Sequence, residues 1–192
     1  FFTLDVFAKE PLSGNPLAVV VDAEGLNDAQ MLKIAREFNL SETVFVLPAR
    51  NPVNTARIRI FTPTMELPFA GHPTVGTAVL LASLRAPELA GARDLAVVLE
   101  EEVGDVNCTV RLEKRGASFA YFDLPRLPEK IGEADAGVLA DALALDQADI
   151  GFDGHTPVVW SAGTPFCFVP VSGLDAIARA RPDAQKLTPA AA

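Results

Sequence analysis

The sequence predicts an α+β fold in which strands surround one buried helix. Residues 75–84 carry no charge and are small or aliphatic on every face. A helix that is apolar all round belongs inside a core. Strand-like runs flank it, at 1–7, 17–21, 43–47 and 56–61 before it and at 95–99, 106–112 and 118–122 after it. We therefore expect a first lobe built from strands around a central apolar helix.

The start of that helix is its most informative part. Gly71 interrupts the chain, and Pro73 is suited to the first helical position, where its missing N–H costs nothing. We predict a helix over residues 73–85 with His72 at its mouth. Free backbone N–H groups and a partial positive charge gather at a helix N-terminus. A carboxylate is the natural ligand for this position.

The remaining elements follow in order along the chain. Residues 9–16 form a turn-rich connection, and Asn27 is a plausible N-cap for an amphipathic helix that ends near Asn39. Beyond a connector at 125–128 we expect a helix at 135–145, strands at 157–162 and 166–171, and a helix at 174–181. Residues 1–115 thus form the first lobe, and residues 118–192 begin a second one without an apolar central helix of its own.

Composition and charge exclude several classes of function. The 192 residues are 49% hydrophobic, enough for one large or two small domains. A net charge of −9 argues against binding a nucleic-acid backbone. No apolar run reaches the length of about 20 residues that a membrane span needs, and no targeting segment is visible. Two distant cysteines do not form a disulfide framework, so we expect a cytoplasmic protein.

Two residues stand out as candidates for catalysis. Glu42 lies between a helix end and a strand. It is either a solvated loop carboxylate or, in an apolar pocket, a general acid/base with a raised pKa. His72 is either a surface histidine beside a helix or a neutral imidazole that hydrogen-bonds a substrate, because a positive helix end disfavours imidazolium.

Neighbouring residues are candidates for substrate binding. The backbone from Gly71 through Pro73 and Thr74 is either a plain helix start or a carboxylate cradle. Asn15 lies in a Gly-Asn-Pro turn, where a structural role competes with a binding role. With two histidines and no cluster at ligand spacing, no metal site is expected. Phosphate-loop, dinucleotide and nucleophilic-serine motifs are absent from the sequence.

Five motifs occur in series along the first half of the chain. Together they resemble the PhzF family of phenazine-biosynthesis-type isomerases, and a segment of the second half, Ser161-Ala162-Gly163-Thr164-Pro165-Phe166, is similar to a family segment too. The five are Asp5-Val6-Phe7, Gly14-Asn15-Pro16-Leu17-Ala18-Val19-Val20, Asn39-Leu40-Ser41-Glu42-Thr43-Val44-Phe45-Val46, Arg57-Ile58-Arg59-Ile60-Phe61-Thr62-Pro63 and Glu66-Leu67-Pro68-Phe69-Ala70-Gly71-His72-Pro73-Thr74.

The resemblance implies a diaminopimelate-epimerase-like fold. Two pseudo-symmetric lobes each wrap a curved, mostly antiparallel sheet around a central helix, with the site between the lobes. It also implies an isomerase without metal or organic cofactor that acts on a small cyclic carboxylic acid, commonly as a homodimer. Glu42 would move a proton between two substrate carbons. His72 would assist by hydrogen bonding, and the Gly71–His72 turn would hold the substrate carboxylate.

The sequence departs from the family pattern in its second half. The late Glu-Asp-Pro turn and Gly-Ser pair of the family are not found, so we expect an incomplete second lobe. One alternative is therefore a catalytically impaired or non-catalytic protein of the same fold that binds a small molecule or a partner. A two-thiol racemase is a second alternative, but it needs a cysteine where Ala70 stands.

Overall fold

A computed structural model describes residues 1–162 and 165–190 of the chain. It divides into two compact units, Phe1–Pro125 and Arg126–Ala192. Two residues of the family-like segment at 161–166, Gly163 and Thr164, lie outside the described residues. Each unit is described by itself below.

The first unit is one sheet with two helices, α+β as predicted. Its sheet order is β1-β2-β3-β4-β6-β7-β8, with β5 paired to β4. The pairs β2–β3 and β4–β6 are parallel and the others antiparallel, so the sheet is mostly antiparallel. In chain order the elements are β1 Phe2–Val6, β2 Asn15–Val20, α1 Asp28–Phe38, β3 Glu42–Leu47, β4 Ala56–Phe61, β5 Glu66–Leu67, α2 Gly71–Arg85, β6 Leu95–Glu101, β7 Gly104–Arg111 and β8 Phe119–Phe122.

Strand β3 shows how the two helices share the sheet. Successive side chains of a strand point to opposite faces. Val44 and Val46 join the hydrophobic cluster that contains the buried side of α2, whereas Phe45 and Leu47 join the cluster formed with α1. Glu42 has the same parity as Val44 and Val46. The first residue of this strand therefore belongs to the face that α2 covers.

Helix α2 lies against the sheet and has little exposed surface. It contacts β1, β2, β3, β6, β7 and β8. A Cβ on Gly76 would lie 2.7 Å from Val6 Cγ2 and 2.8 Å from Leu17 Cδ2, so only glycine permits this approach of helix to sheet. No helix in the described part of the chain is long and apolar enough to span a membrane.

The N-terminal bound of α2 differs from the prediction. The helix begins at Gly71 rather than at residue 73, with Ala70 as its N-cap. Gly71 is thus the first helical residue and does not interrupt the chain before it. Pro73 occupies the third position instead of the first, and there too an N–H would have no partner inside the helix. The proline therefore fits the first turn at no cost in backbone hydrogen bonds.

The boundary between the units lies later than the sequence indicated. Strand β8 pairs antiparallel with β7 in the first sheet, in the register Cys108↔Phe122 to Arg111↔Phe119. The predicted boundary at 115–118 is therefore too early by one strand, because the run at 118–122 continues the first sheet. The first unit ends at Pro125.

The second unit is smaller and contains a three-stranded antiparallel sheet, ordered β11-β10-β9. Strand β9 and helix α5 were not predicted, and the predicted strand at 166–171 is shorter and begins one residue earlier. The pseudo-symmetry of the two lobes stays a prediction. The elements are β9 Glu129–Glu133, α3 Ala136–Leu143, β10 Val158–Ser161, β11 Pro165–Phe168, α4 Leu174–Arg179 and α5 Ala184–Ala190.

Candidate active site

Glu42 and His72 meet where β3 begins and α2 begins. His72 Nε2 lies 3.3 Å from Glu42 Oε2, and the two side chains are 7% and 18% exposed. Glu42 is positioned by the parallel pairing of β2 and β3, in which it stands opposite Leu17. Residues 30 positions apart in the sequence thus lie in contact as an acid–imidazole pair with little exposure to solvent.

Asn15 contacts the opposite edge of the imidazole. Its Nδ2 lies 3.1 Å from His72 Nδ1. If the amide donates to Nδ1, the ring proton of a neutral His72 sits on Nε2, the nitrogen that faces Glu42. Asn15 and Pro16, predicted to lie in a turn, are the first residues of β2, and Asn15 contacts the histidine from there.

Burial sets the protonation tendencies of the pair. Desolvation raises the pKa of Glu42 above that of an ordinary glutamate. Desolvation also lowers the pKa of His72, and the backbone carbonyl of Pro16 opposes this shift more weakly. Both shifts favour the neutral forms, as expected for titratable groups removed from water.

The pair is close but not joined by a hydrogen bond. Neither Glu42 Oε2 nor His72 Nε2 has a hydrogen-bond partner among the described residues, although both atoms are buried. The 3.3 Å contact therefore lacks hydrogen-bond geometry. A buried polar atom without a partner is costly and calls for an explanation. Two such atoms side by side form a place where a polar group of a ligand would be bound favourably.

The first turn of α2 presents backbone donors beside His72. Ala70, the N-cap, supplies no side-chain hydrogen bond. Thr74 is the first residue whose N–H bonds within the helix, to Ala70 O at 3.2 Å. The N–H groups of Gly71 and His72 precede that bond, and Pro73 has none. Two neighbouring donors at a positive helix end suit a carboxylate.

Thr74 and Pro73 do not join this group through their side chains. Thr74 is 0% exposed, and its hydroxyl bonds Ala70 O and Glu101 Oε1 in the interior. The ring of Pro73 is buried as well. These two residues shape the turn from inside, whereas Gly71 and His72 carry its free N–H groups.

Glu101 is a functional candidate that sequence analysis missed. It closes β6 within the acidic run Glu100-Glu101-Glu102, which resembles a solvated charge cluster. The signal that identifies it is alternation. Val97 and Leu99 belong to the core cluster around α2, and Glu101 is the next residue with that parity. Burial raises the pKa of Glu101 to about 8.

An aromatic pair borders the same helix end. The rings of Phe69 and Phe122 pack edge to face with centroids 5.4 Å apart. A Cβ on Gly71 would lie 3.9 Å from Phe122 Cζ. Apolar ring surface therefore lies beside the backbone donors at the start of α2.

Neither Cys108 nor Cys167 stands at the start of α2, where a two-thiol racemase needs a cysteine. Cys108 is buried on β7, where desolvation raises its pKa to about 12, and Cys167 lies in the second unit. Ala70 stands at the N-cap of α2, where such an enzyme needs a cysteine. Across residues 1–162 and 165–190, no group of three or more His, Cys, Asp or Glu side chains is arranged to hold a metal ion.

Two curated relatives match almost the whole chain. An uncharacterized isomerase of Mesorhizobium japonicum is 52% identical over 187 residues, covering 96% of this chain and 60% of the relative. Trans-2,3-dihydro-3-hydroxyanthranilate isomerase of Pseudomonas fluorescens is 36% identical, covering 98% of this chain and 63% of the enzyme. The chain thus spans about three fifths of the length of these relatives.

Solved structures support the fold. A predicted epimerase from Pseudomonas aeruginosa superposes with a TM-score of 0.84 at 37% identity, covering 99% of this chain and 66% of that one. A hydroxyproline epimerase from Agrobacterium vitis gives a TM-score of 0.54 at 14% identity, covering 87% and 50%. The second likeness shows fold alone. Together they confirm the predicted diaminopimelate-epimerase-like fold.

The family assignment follows from a match over nearly the entire sequence. The family model of phenazine biosynthesis-like proteins, PhzC-PhzF, matches residues 4–191. The motifs that carry Asn15, Glu42 and His72 lie within this match, and the structure brings these three side chains together. The chain belongs to the PhzC-PhzF family of phenazine biosynthesis-like proteins.

Proposed function

We propose that this chain is, or is the larger part of, an isomerase that moves a proton between two carbons of a small cyclic carboxylic acid, with Glu42 as general acid/base. One observation carries the proposal. Glu42 Oε2 and His72 Nε2 are buried 3.3 Å apart, and neither atom has a hydrogen-bond partner within residues 1–162 and 165–190. The names of the relatives, which include isomerases, point the same way.

The proposed reaction is balanced in protons. The Glu42 carboxylate takes a proton from a C–H bond of the substrate, and the electron pair left behind delocalises over the adjacent unsaturated carbons. The carboxylic acid so formed returns the proton to a different carbon and the double bonds shift. A carboxyl with a raised pKa serves both steps well, because its acid and base forms lie closer in free energy near neutral pH.

Binding and orientation are assigned to the neighbouring groups. The N–H groups of Gly71 and His72 hold the substrate carboxylate at the positive end of α2. Neutral His72, oriented by Asn15, donates from Nε2 to a polar substituent of the substrate. No step of this proposal requires a metal or an organic cofactor. The homodimer and the cytoplasmic location stay predictions.

The substrate class rests on the relatives. The enzyme of Pseudomonas fluorescens is named for trans-2,3-dihydro-3-hydroxyanthranilate, a cyclic acid with a hydroxyl and an amino group. We propose a substrate of this class, a ring that bears a carboxylate. The aromatic edge of Phe69 and Phe122 beside Gly71 supports it.

Solvent exchange tests the proposal. The purified chain is incubated in D₂O with trans-2,3-dihydro-3-hydroxyanthranilate and a panel of cyclic amino and hydroxy acids, and ring carbons are followed by NMR. We expect deuterium at a ring carbon with wild type and no incorporation with Glu42→Gln. Binding of such an acid without incorporation would favour the alternative of a non-catalytic binding protein. Incorporation at the wild-type rate in Glu42→Gln would disprove the role of Glu42.

A further inference from the structure

Glu101 and Thr74 form a hydrogen-bonded arrangement directly beneath the first turn of α2. Thr74 Oγ1 lies 2.8 Å from Ala70 O and 2.7 Å from Glu101 Oε1. Thr74 itself is 0% exposed, and Glu101 Oε2 is buried without a hydrogen-bond partner. The carboxyl is thus fixed to the residue that follows the proposed carboxylate cradle by two positions.

Counting protons indicates the state of this carboxyl. A threonine hydroxyl has one hydrogen, and the carbonyl oxygen of Ala70 can only accept. If the hydroxyl donates to Ala70 O, the hydrogen in the 2.7 Å contact must come from Glu101. If the hydroxyl donates instead to an ionised Glu101, the contact of Thr74 Oγ1 with Ala70 O has no hydrogen and a charge is buried with one hydrogen bond. If it donates to Ala70 O, an ionised Glu101 receives no hydrogen bond from Thr74, and either arrangement is costly. The geometry favours a protonated Glu101.

We propose that Glu101 is a positioning residue of the proposed active site: as a neutral acid it donates a hydrogen bond to Thr74 Oγ1, which fixes the first turn of α2 and keeps a competing negative charge away from the N–H groups of Gly71 and His72. This inference rests on the proposed function, because it assigns those N–H groups to a substrate carboxylate. It adds a residue that does not itself touch the substrate.

The charge of Glu101 matters because of where it lies. An anion beneath the first turn would satisfy the positive helix end that a substrate carboxylate needs and would repel that carboxylate through a poorly screened interior. Burial, which raises the pKa of Glu101 to about 8, keeps the acid neutral at pH 7. The cradle should therefore lose affinity for anions as the pH rises through the pKa of Glu101.

Other titratable groups surround Glu101, and the test must separate their effects. Glu101 lines a cavity of about 440 Å³ between the diverging strands β4 and β6. On its core side the Cys108 thiol, whose pKa is raised to about 12 partly by Glu101, stays neutral over the range of interest. The charged residues that line the same cavity are Arg50, Arg57, Arg59, Glu66, Glu100 and Glu102.

Binding of benzoate, which stays ionised throughout, is measured by calorimetry from about pH 6 to pH 9. For wild type we expect the Kd to rise about tenfold between pH 7 and pH 9. Glu101→Gln keeps a donor for Thr74 but cannot ionise, so it should bind benzoate about tenfold more tightly than wild type at pH 9. Glu102→Gln, the same change at the exposed neighbouring residue, should follow the wild-type profile.

If Glu101 had only a structural role, Glu101→Gln would change the stability of the chain but not the pH dependence of the Kd for benzoate. Thr74→Val, which removes the hydroxyl, should weaken benzoate binding at pH 7, and ¹³C NMR of labelled glutamates should show one carboxyl titrating near pH 8 that disappears in Glu101→Gln. Parallel pH profiles of Kd in wild type and Glu101→Gln would overturn the proposal, as would an ordinary titration of Glu101.

The two proposals fail separately. Proton exchange that depends on Glu42, together with parallel Kd profiles, would leave the isomerase proposal standing without the role of Glu101. A pH-dependent Kd that Glu101→Gln abolishes, without any proton exchange in wild type, would support Glu101 and overturn the isomerase proposal. No benzoate binding by wild type at any pH would overturn the role of Glu101, whatever the exchange assay gives.

Discussion

Two glutamates in the first unit sit in opposite hydrogen-bonding environments. Glu100 accepts hydrogen bonds from the backbone N–H groups of Arg50 and Asn51 and from Asn54 Nδ2, at 2.8–3.1 Å. Those donors lower the pKa of Glu100. Glu42 has a buried oxygen with no hydrogen bond, and burial raises its pKa. The first carboxylate is satisfied by the fold, and the second is not.

The difference separates structure from chemistry. Donors around Glu100 join the loop after β3 to the end of β6, so that carboxylate works as a structural connection. Among the described residues, no side chain or backbone group donates a hydrogen bond to Glu42 Oε2, although that atom is buried. Groups whose pKa is shifted by burial and whose buried polar atoms lack a partner are candidates for functional sites. The contrast therefore points to Glu42, and not to the hydrogen-bonded Glu100, as the residue that acts on a substrate.

The largest expected effect is a loss of proton-exchange rate without a loss of stability. Glu42→Gln should lower the rate of proton exchange by about 10³-fold, the usual range for loss of a general acid/base. Its melting temperature should stay close to that of wild type, because no hydrogen bond to Oε2 is lost. The measurements are deuterium incorporation by NMR and thermal unfolding.

The matched substitution Glu100→Gln should behave in the reverse manner. It replaces an acceptor of three hydrogen bonds with an amide that has one acceptor oxygen, so the melting temperature should fall. The exchange rate of the folded fraction should stay within about threefold of wild type, because effects away from reacting groups are small. Equal loss of rate in both variants would break the contrast between the two carboxyls.

The next largest expected effect comes from disturbing the orientation of His72. Asn15→Leu removes the amide that contacts Nδ1, so the imidazole loses its tautomer preference and its fixed angle. We expect the exchange rate to fall by about ten- to a hundredfold, a typical cost of misplacing a reacting group. A rate unchanged by Asn15→Leu would indicate that Asn15 has only a structural role.

Gly76→Ala tests the packing that places the helix mouth. The added methyl group would collide with Val6 and Leu17, and overpacking of this kind costs about 1–3 kcal/mol. Gly71→Ala, at the start of the same helix, meets its nearest neighbour at 3.9 Å and should unfold like wild type. Urea unfolding of both variants measures the difference. Equal stability of the two would contradict the described approach of α2 to β1 and β2.

The smallest expected effect is a pH dependence of stability at His72. Burial lowers the pKa of His72 in the folded chain, so below the ordinary histidine range the unfolded chain binds a proton that the folded chain resists. The contribution of neutral His72 to the free energy of unfolding is thus fully present above pH 6.5 and is lost as the pH falls below that value. His72→Gln should remove this part of the slope, whereas His155→Gln, at the exposed second histidine, should retain it.

Much of the fold followed from local patterns, but contacts made across the sheet did not. The uncharged run at 75–84 marked α2, and alternation marked β4. The contact of Asn15 with His72 joins residues 57 positions apart, one at the start of β2 and one in the first turn of α2, and no local pattern encodes it. Glu101 was missed because its two acidic neighbours suggested a solvated run, although the parity of Val97 and Leu99 placed it in the core.

The helix start was misplaced for a related reason. Gly71 and Pro73 are ordinary sequence signals for a helix N-terminus. They predict where the helix begins to within two residues, but not the first residue itself. The cap is Ala70, which has no capping side chain and so gives no sequence signal. Because Ala70 has no capping side chain, it supplies no side-chain acceptor to the N–H groups of Gly71 and His72, which we propose bind the substrate carboxylate.

Titration of Glu42 and Glu100 in one sample measures the difference between the two carboxyl groups. Selectively ¹³C-labelled glutamate carboxyls are followed by NMR across the acidic and neutral range and assigned with Glu42→Gln and Glu100→Gln. The account predicts that the pKa of Glu42 lies above that of an ordinary glutamate and the pKa of Glu100 below it. A Glu42 carboxyl that titrates at or below the pKa of Glu100 would contradict it.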